Sequence, residues 1–256
     1  MFTRIKHWRR RRILARSVIP EELWGEAVAA LPFLTRYPAE DLQRLRDLVV
    51  LFLDHKSIVG ARGFEVTPLM RVVIALQACV LILNLDYDWY SGWESVIVYP
   101  DEFVTDYEYV DEAGVVHRVN DAMAGEALSH GPVLLSWADV EASADWHGAG
   151  MNLVVHEFAH KLDMLTGDAD GAPPLHAGML RERWHRVFTA AYEDFCKRVD
   201  AGEDTAIDPY ASEAPAEFFA VGSEVFFAEP ELLAEEYPEV YAQLAEFYRQ
   251  DPLRGK

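Results

Sequence analysis

The chain has 256 residues, 51% hydrophobic and 12% aromatic, enough apolar surface to close one substantial core and to exclude wholesale disorder. Of its 23 basic residues, seven (Arg4, Lys6, Arg9, Arg10, Arg11, Arg12 and Arg16) fall in the first sixteen positions, leaving 16 basic against 43 acidic residues, a net of −27, in the other 240. A body that acidic repels phosphate backbones, which excludes direct nucleic-acid binding as the main role.

Residues 1–19 read as a basic, solvated tail, able to touch anionic lipid, an acidic partner or the protein's own acidic surface. Residues 20–256 read as one domain. After Arg16 come Ser17, Val18, Ile19, Pro20 and two glutamates rather than the apolar stretch of a signal peptide. With Cys79 and Cys196 as the only cysteines there is no disulfide framework, and the cytoplasm is the expected address.

Pro20-Glu21-Glu22 opens a short amphipathic helix, and from about Ala39 to Asp54 the apolar residues Leu42, Leu45, Leu48, Val49 and Phe52 recur at helical spacing. Val72 to Leu85, broken by Gln77 and Asn84, is too short for a membrane span and reads as a buried helix. Helices therefore occupy the N-terminal third. The character then changes. Ser95 to Tyr99 reads as a strand ending at Pro100, Tyr107 to Val110 and Val115 to Val119 as a hairpin about Asp111-Glu112-Ala113-Gly114, and Pro132 to Trp137 as a further strand. A small sheet over about 93–137 is expected, with Leu134 to Trp137 as an edge facing a cleft and open to an added peptide strand. The aromatics Tyr87, Trp89, Tyr90 and Trp93 read as core or rim packing. From about Gly150 helices return, one traced by Leu180, Trp184, Phe188, Ala191, Phe195 and Val199, one opened by Pro215, and one after Pro238.

The chemistry concentrates at His156-Glu157-Phe158-Ala159-His160, an H-E-x-x-H pattern flanked by apolar residues. Residues four apart lie about one helical turn apart, with Cβ atoms roughly 5–6 Å from each other, so two imidazoles converge on one ion. Glu157, rotated by about 100° from His156, stands beside that ion, where it can take a proton from a water whose pKa zinc lowers towards about 7. A catalytic zinc keeps three protein ligands, and the downstream candidates for the third are His176, His185, Glu213, Glu217 and Glu224. Glu217 and Glu224 are seven apart on one helix face, and an acid in so apolar a helix requires a partner; the residue pattern leaves the two open. Asp163 is either a hydrogen-bond partner of an imidazole or a solvated helix-end acid. His55, His117, His130 and His147 show no metal spacing to one another.

His156 to Met164, Ile207-Asp208-Pro209-Tyr210-Ala211, and Pro215-Ala216-Glu217-Phe218-Phe219-Ala220-Val221 with Ser223-Glu224 and Phe226-Phe227 resemble the Mlc titration factor A family of bacterial zinc peptidases. Trp93 to Pro100 and Gly131 to Trp137 add to the similarity, which spans about 20–250. The Tyr and Glu spacing is also similar to the catalytic domain of anthrax lethal factor. The resemblance implies an α+β, zincin-like fold, mostly helical with a small mixed β-sheet beside the H-E-x-x-H helix. It implies a gluzincin site: one Zn2+ on His156, His160 and Glu217, Glu157 as general base, and Tyr210 stabilising the oxyanion. It further implies cleavage of short peptides, aminopeptidase-like. As partner it implies a transcriptional repressor of the Mlc type, in control of sugar phosphotransferase genes. The alternative is a latent or non-catalytic zinc protein that sequesters a repressor. Nothing in the resemblance assigns the Arg-rich start.

Overall fold

The computed structural model describes residues 2–104, 107–110, 116–119, 122–143 and 152–254; for 2–4, 107–110, 116–119 and 122 it describes the backbone alone. In chain order the elements are α1 (Phe2–Arg16), α2 (Glu21–Ala29), α3 (Ala39–His55), β1 (Ser57–Gly60), α4 (Pro68–Leu81), β2 (Ser95–Tyr99), β3 (Phe103–Val104), β4 (Tyr107–Val110), β5 (Val116–Val119), β6 (Ala122–Met123), β7 (Gly125–Ala127) and β8 (Val133–Ser136). There follow α5 (Trp137–Ala142), α6 (Leu153–Asp163), α7 (Arg181–Asp200), α8 (Pro215–Ala228), α9 (Pro230–Glu236) and α10 (Pro238–Tyr248). The fold is α+β and mostly helical.

Helix α4 is the hub. Thr67 caps it by accepting the Met70 N–H, Pro68 takes the first-turn position where no N–H is needed, and every residue from Val72 to Leu81 is buried. A helix apolar all round is stable only when enclosed, and α2, α3 and α6 enclose this one. On the opposite side of α6 from its histidines, Phe158 meets the rings of Phe52, Tyr90 and Trp93 at centroid distances of 5.3–5.8 Å. Tyr87, Tyr90 and Trp93 are buried, the packing role expected of them.

The main sheet runs β1-β2-β8-β7. β1, β2 and β8 are parallel, and β7 closes the sheet antiparallel to β8 with Gly125 opposite Leu135. Two expectations are corrected here. The β4–β5 hairpin forms, Tyr107 opposite Val119, but it pairs apart from the main sheet, and its turn lies outside the described residues. The strand at Val133–Ser136 is interior rather than an edge: all four of its residues are buried because a neighbour flanks it on each side. Among the described residues the edge beside the metal helix is β7 instead.

Lys161, directly after His160, fixes that arrangement. Its side chain is buried, and Nζ donates to the carbonyls of Leu128 (2.6 Å), Gly131 (3.2 Å) and Ser129 (3.3 Å), tying the β7–β8 turn to α6. Burial lowers its pKa to about 8.

The basic start is not a free tail. It forms α1, with Ile13 buried, Arg10 bound to Asp86 (3.1 Å) and Asp88 (2.8 Å), Lys6 to Asp88 (2.9 Å) and Arg16 to Asp54 (3.1 Å). Of the partners the sequence suggested, α1 takes the protein's own acidic surface. Among the described residues no helix is long and apolar enough to cross a membrane.

Candidate metal centre

Two helices build the site. Asn152 caps α6, its Oδ1 accepting the Val155 N–H at 2.8 Å, and α6 then presents His156 and His160 on one face. Helix α8 opens at Pro215 and brings Glu217 in from its first turn. His156 Nε2 lies 3.1 Å from His160 Nε2, and Glu217 Oε2 lies 3.0 Å from the first and 3.3 Å from the second. Ligand atoms about 2.05 Å from a common tetrahedral centre stand roughly 3.3 Å apart, so this triangle has the dimensions a small divalent ion requires. Two imidazoles and one carboxylate with an open side are also the donor set of a catalytic zinc. The residues fit the ion.

The two acids that the residue pattern left open are separated by the fold. Glu217 faces Nε2 of both imidazoles. Glu224, a further two turns along α8 and 1% exposed, accepts a hydrogen bond from His156 Nδ1 at 2.7 Å and another from the Asn152 N–H. A histidine held at Nδ1 by a carboxylate keeps its Nε2 lone pair for an ion, and its basicity rises. The network runs further: Asn152 Nδ2 donates to Gln77 Oε1 at 2.6 Å, so the one polar residue of the buried α4 run anchors the cap of the metal helix. Asn152 went unread in the sequence, although an Asn just before an apolar helical run is a cap signal; Gln77 appeared there only as an interruption.

The electrostatics follow from this crowding. Burial opposes ionisation of Glu217, but hydrogen bonds from His156 and His160 and their positive charge outweigh it and hold the carboxyl down at about 2. Burial opposes charge on His156 too, yet Glu217 and Glu224 raise its pKa well above the ordinary value. Glu157, 4% exposed, is pushed up to about 8 by burial, with His156 pulling the other way and Glu217 and Glu224 adding to the rise. Edge strand β7 presses on Glu157: a Cβ at Gly125 would stand 2.8 Å from its Cδ. Only glycine lets strand and carboxylate approach so closely.

Tyr210 lies on a 3-10 turn over Pro209–Ser212, where Asp208 Oδ1 accepts its backbone N–H at 2.8 Å. Its ring centroid is 6.0 Å from that of His156, it is half exposed, and burial with the nearby Glu217 and Glu157 raises its phenol to about 12. A cavity of about 620 Å3 opens over His156, Glu157 and Tyr210, and Gly125 also lines it.

Asp163 meets neither expectation. It is fully buried, Oδ2 accepts the Gly171 N–H at 2.7 Å, and no hydrogen bond joins it to an imidazole; its Oδ1 and His160 Nδ1 have no partner among the described residues. The other downstream candidates lie elsewhere: His176 contacts the Phe247 carbonyl at 2.7 Å, and His185 is exposed on α7 with Thr189. The side chains of His117 and His147 lie outside the described residues.

The family model described as glucose-regulated metallo-peptidase M90 matches residues 5–249. The chain is 40% identical to Mlc titration factor A of Cronobacter sakazakii over 250 residues, 96% of this chain and 91% of that one. It is 42% identical to Mlc titration factor A of Salmonella gallinarum over 90% of this chain and 86% of that one, and 40% identical to that of Klebsiella pneumoniae over 90% and 87%. The chain belongs to the glucose-regulated metallo-peptidase M90 family.

Proposed function

We propose that this chain is a cytoplasmic zinc peptidase of gluzincin type, with His156, His160 and Glu217 holding one Zn2+, Glu157 as general base and Tyr210 as oxyanion donor. The observation that carries the reading is the triangle of His156 Nε2, His160 Nε2 and Glu217 Oε2 at 3.0–3.3 Å with a buried, readily protonated Glu157 beside it. Zinc in such a site supplies a Lewis acid and brings the pKa of water towards about 7.

The chain's own groups do the rest. Glu157 in its carboxylate form, made a stronger base by burial, takes a proton from the attacking water and returns it to the leaving amine. Tyr210 keeps its phenolic proton at neutral pH, since its pKa is about 12, and donates it as a hydrogen bond to the oxygen that gains charge when the scissile carbonyl is attacked. Glu224 and Asn152 hold the His156 ring in the orientation that aims Nε2 at the ion. An extended peptide pairs with β7, whose other side among the described residues has no strand partner.

Among the described residues the cavity lining includes the acids Glu102, Glu157, Asp208 and Glu224 and no Lys or Arg. That sign favours a substrate with a free α-ammonium group, which supports aminopeptidase-like cleavage of short peptides. The relatives' name, Mlc titration factor A, supports a second role for this chain, binding a repressor of the Mlc type.

The test measures zinc content and turnover of short chromogenic peptides, with the N-terminus free or acetylated, for wild type and Glu157→Gln. Wild type is expected to hold one zinc per chain and to prefer free N-termini, and Glu157→Gln to keep the zinc and lose turnover by at least about a hundredfold. Zinc without turnover of any peptide overturns the enzymatic reading and favours a latent binding protein.

A further inference from the structure

Helix α1 carries two stripes with different fates. Lys6, Arg10 and Ile13, spaced four and three apart, face the body: Ile13 is buried, Arg10 bridges Asp86 and Asp88 and lies over the Tyr87 ring, and Lys6 reaches Asp88. The other stripe, Ile5, Trp8, Arg9 and Arg12 at i, i+3, i+4 and i+7, faces outward. Trp8 is 54% exposed and Ile5 48%, two large apolar side chains left in water on a helix fixed in place by its opposite face. Arg12 lies 5.6 Å from the Trp8 ring centroid, and no ion pair among the described residues engages Arg9, Arg11 or Arg12.

We propose that the outward stripe of α1, Ile5, Trp8, Arg9 and Arg12, with the exposed Arg11 beside it, docks this protein onto an anionic lipid surface. Charge complementarity selects that occupant. The stripe pairs an indole and an aliphatic side chain with guanidinium groups, the combination that settles at the headgroup layer of an acidic bilayer. The first sixteen residues contain no Asp or Glu, so no negative side chain of α1 opposes an anionic surface. The remaining 240 residues carry a net charge of −27, so an anionic surface repels the body and admits the molecule only by this helix. The Arg10 and Ile13 contacts hold α1 to the body, so docking would bring the whole peptidase domain to the surface.

The experiment is co-sedimentation of the full chain with sucrose-loaded vesicles of phosphatidylcholine alone or with about one-third phosphatidylglycerol, at low and high salt. Binding is expected only to the anionic vesicles and to weaken with salt. Replacing Arg9, Arg11 and Arg12 by Gln should lower the partition coefficient about a hundredfold, at roughly fivefold per charge. Ile5→Ser with Trp8→Ser keeps every charge and should still lower it about tenfold. None of these variants touches Arg10 or Ile13, and unchanged thermal melting confirms that α1 stays docked. No binding to anionic vesicles overturns the proposal, and retention on a polyglutamate matrix in that case reassigns the stripe to an acidic protein surface. Full vesicle binding by the Ile5→Ser, Trp8→Ser variant also overturns it, because adsorption would then be unlocalised charge.

Discussion

Alanine at Gly125 would separate the position of the proposed general base from metal binding and from folding. A Cβ built there falls 2.8 Å from Glu157 Cδ and 2.7 Å from Leu153 Cδ1, and it also collides with Glu157 Oε1. Carbon atoms at rest stand about 3.5 Å or more apart, so the carboxyl group must retreat by roughly 0.7 Å or more. Glu157 is the free end of a flexible side chain and can move by rotation, so the stability loss should sit near the low end of the about 1–3 kcal/mol typical of overpacking. Activity has no such freedom: a reacting group displaced by about 1 Å costs about a hundredfold in rate, or about 2.7 kcal/mol of transition-state stabilisation. Gly125→Ala should therefore keep one zinc per chain, lose little in melting temperature and turn over peptides about a hundred times more slowly. Metal analysis, thermal denaturation and kcat on a chromogenic peptide measure the three quantities. A variant with wild-type kcat would refute the placement of Glu157 against β7 as the source of its reactivity.

Two further predictions follow from the carboxylates around the histidines. Glu224→Gln replaces the charged acceptor at His156 Nδ1 and should weaken zinc affinity about 10–100-fold, read by competition with a chromogenic chelator; unchanged affinity would remove Glu224 from the site's support. Burial raises Asp163 from 3.8 to about 6, against the hydrogen bond from Gly171. Its native carboxyl therefore holds a proton more tightly than the unfolded chain does, and the stability it contributes is full below 3.8 and lost as pH rises through about 6. Asparagine stays neutral, so in the metal-free protein Asp163→Asn should gain stability relative to wild type between pH about 4 and about 7, measured by denaturant midpoints. A constant difference across that window would show that Asp163 does not titrate as its burial requires.

The parts of this site that share one helix were legible in the sequence. His156, Glu157 and His160 needed only the period of an α-helix, because four residues return the chain to the same face whatever surrounds it. The helices at α2, α3, α7 and α10 were legible for the same reason, through apolar residues at three and four. That Trp93 would meet Phe158 and Phe52 edge to face was not legible there.

What crosses between elements was decided by the tertiary structure. Glu217 and Glu224 occupy one face of α8 and look alike in the sequence; the angle at which α8 meets α6 sends one to Nε2 of both histidines and the other to Nδ1 of one. The cleft edge went to β7, whose Gly-Glu-Ala sequence has no strand signature, because β8 was already flanked by β2 and buried on both faces. The basic start became a helix because Asp86, Asp88 and Asp54, distant in the chain, stand where Lys6, Arg10 and Arg16 can reach them. Local periodicity fixes which residues share a face, since it depends on backbone geometry alone; which faces meet depends on how the whole core packs, and no window of the sequence contains that information.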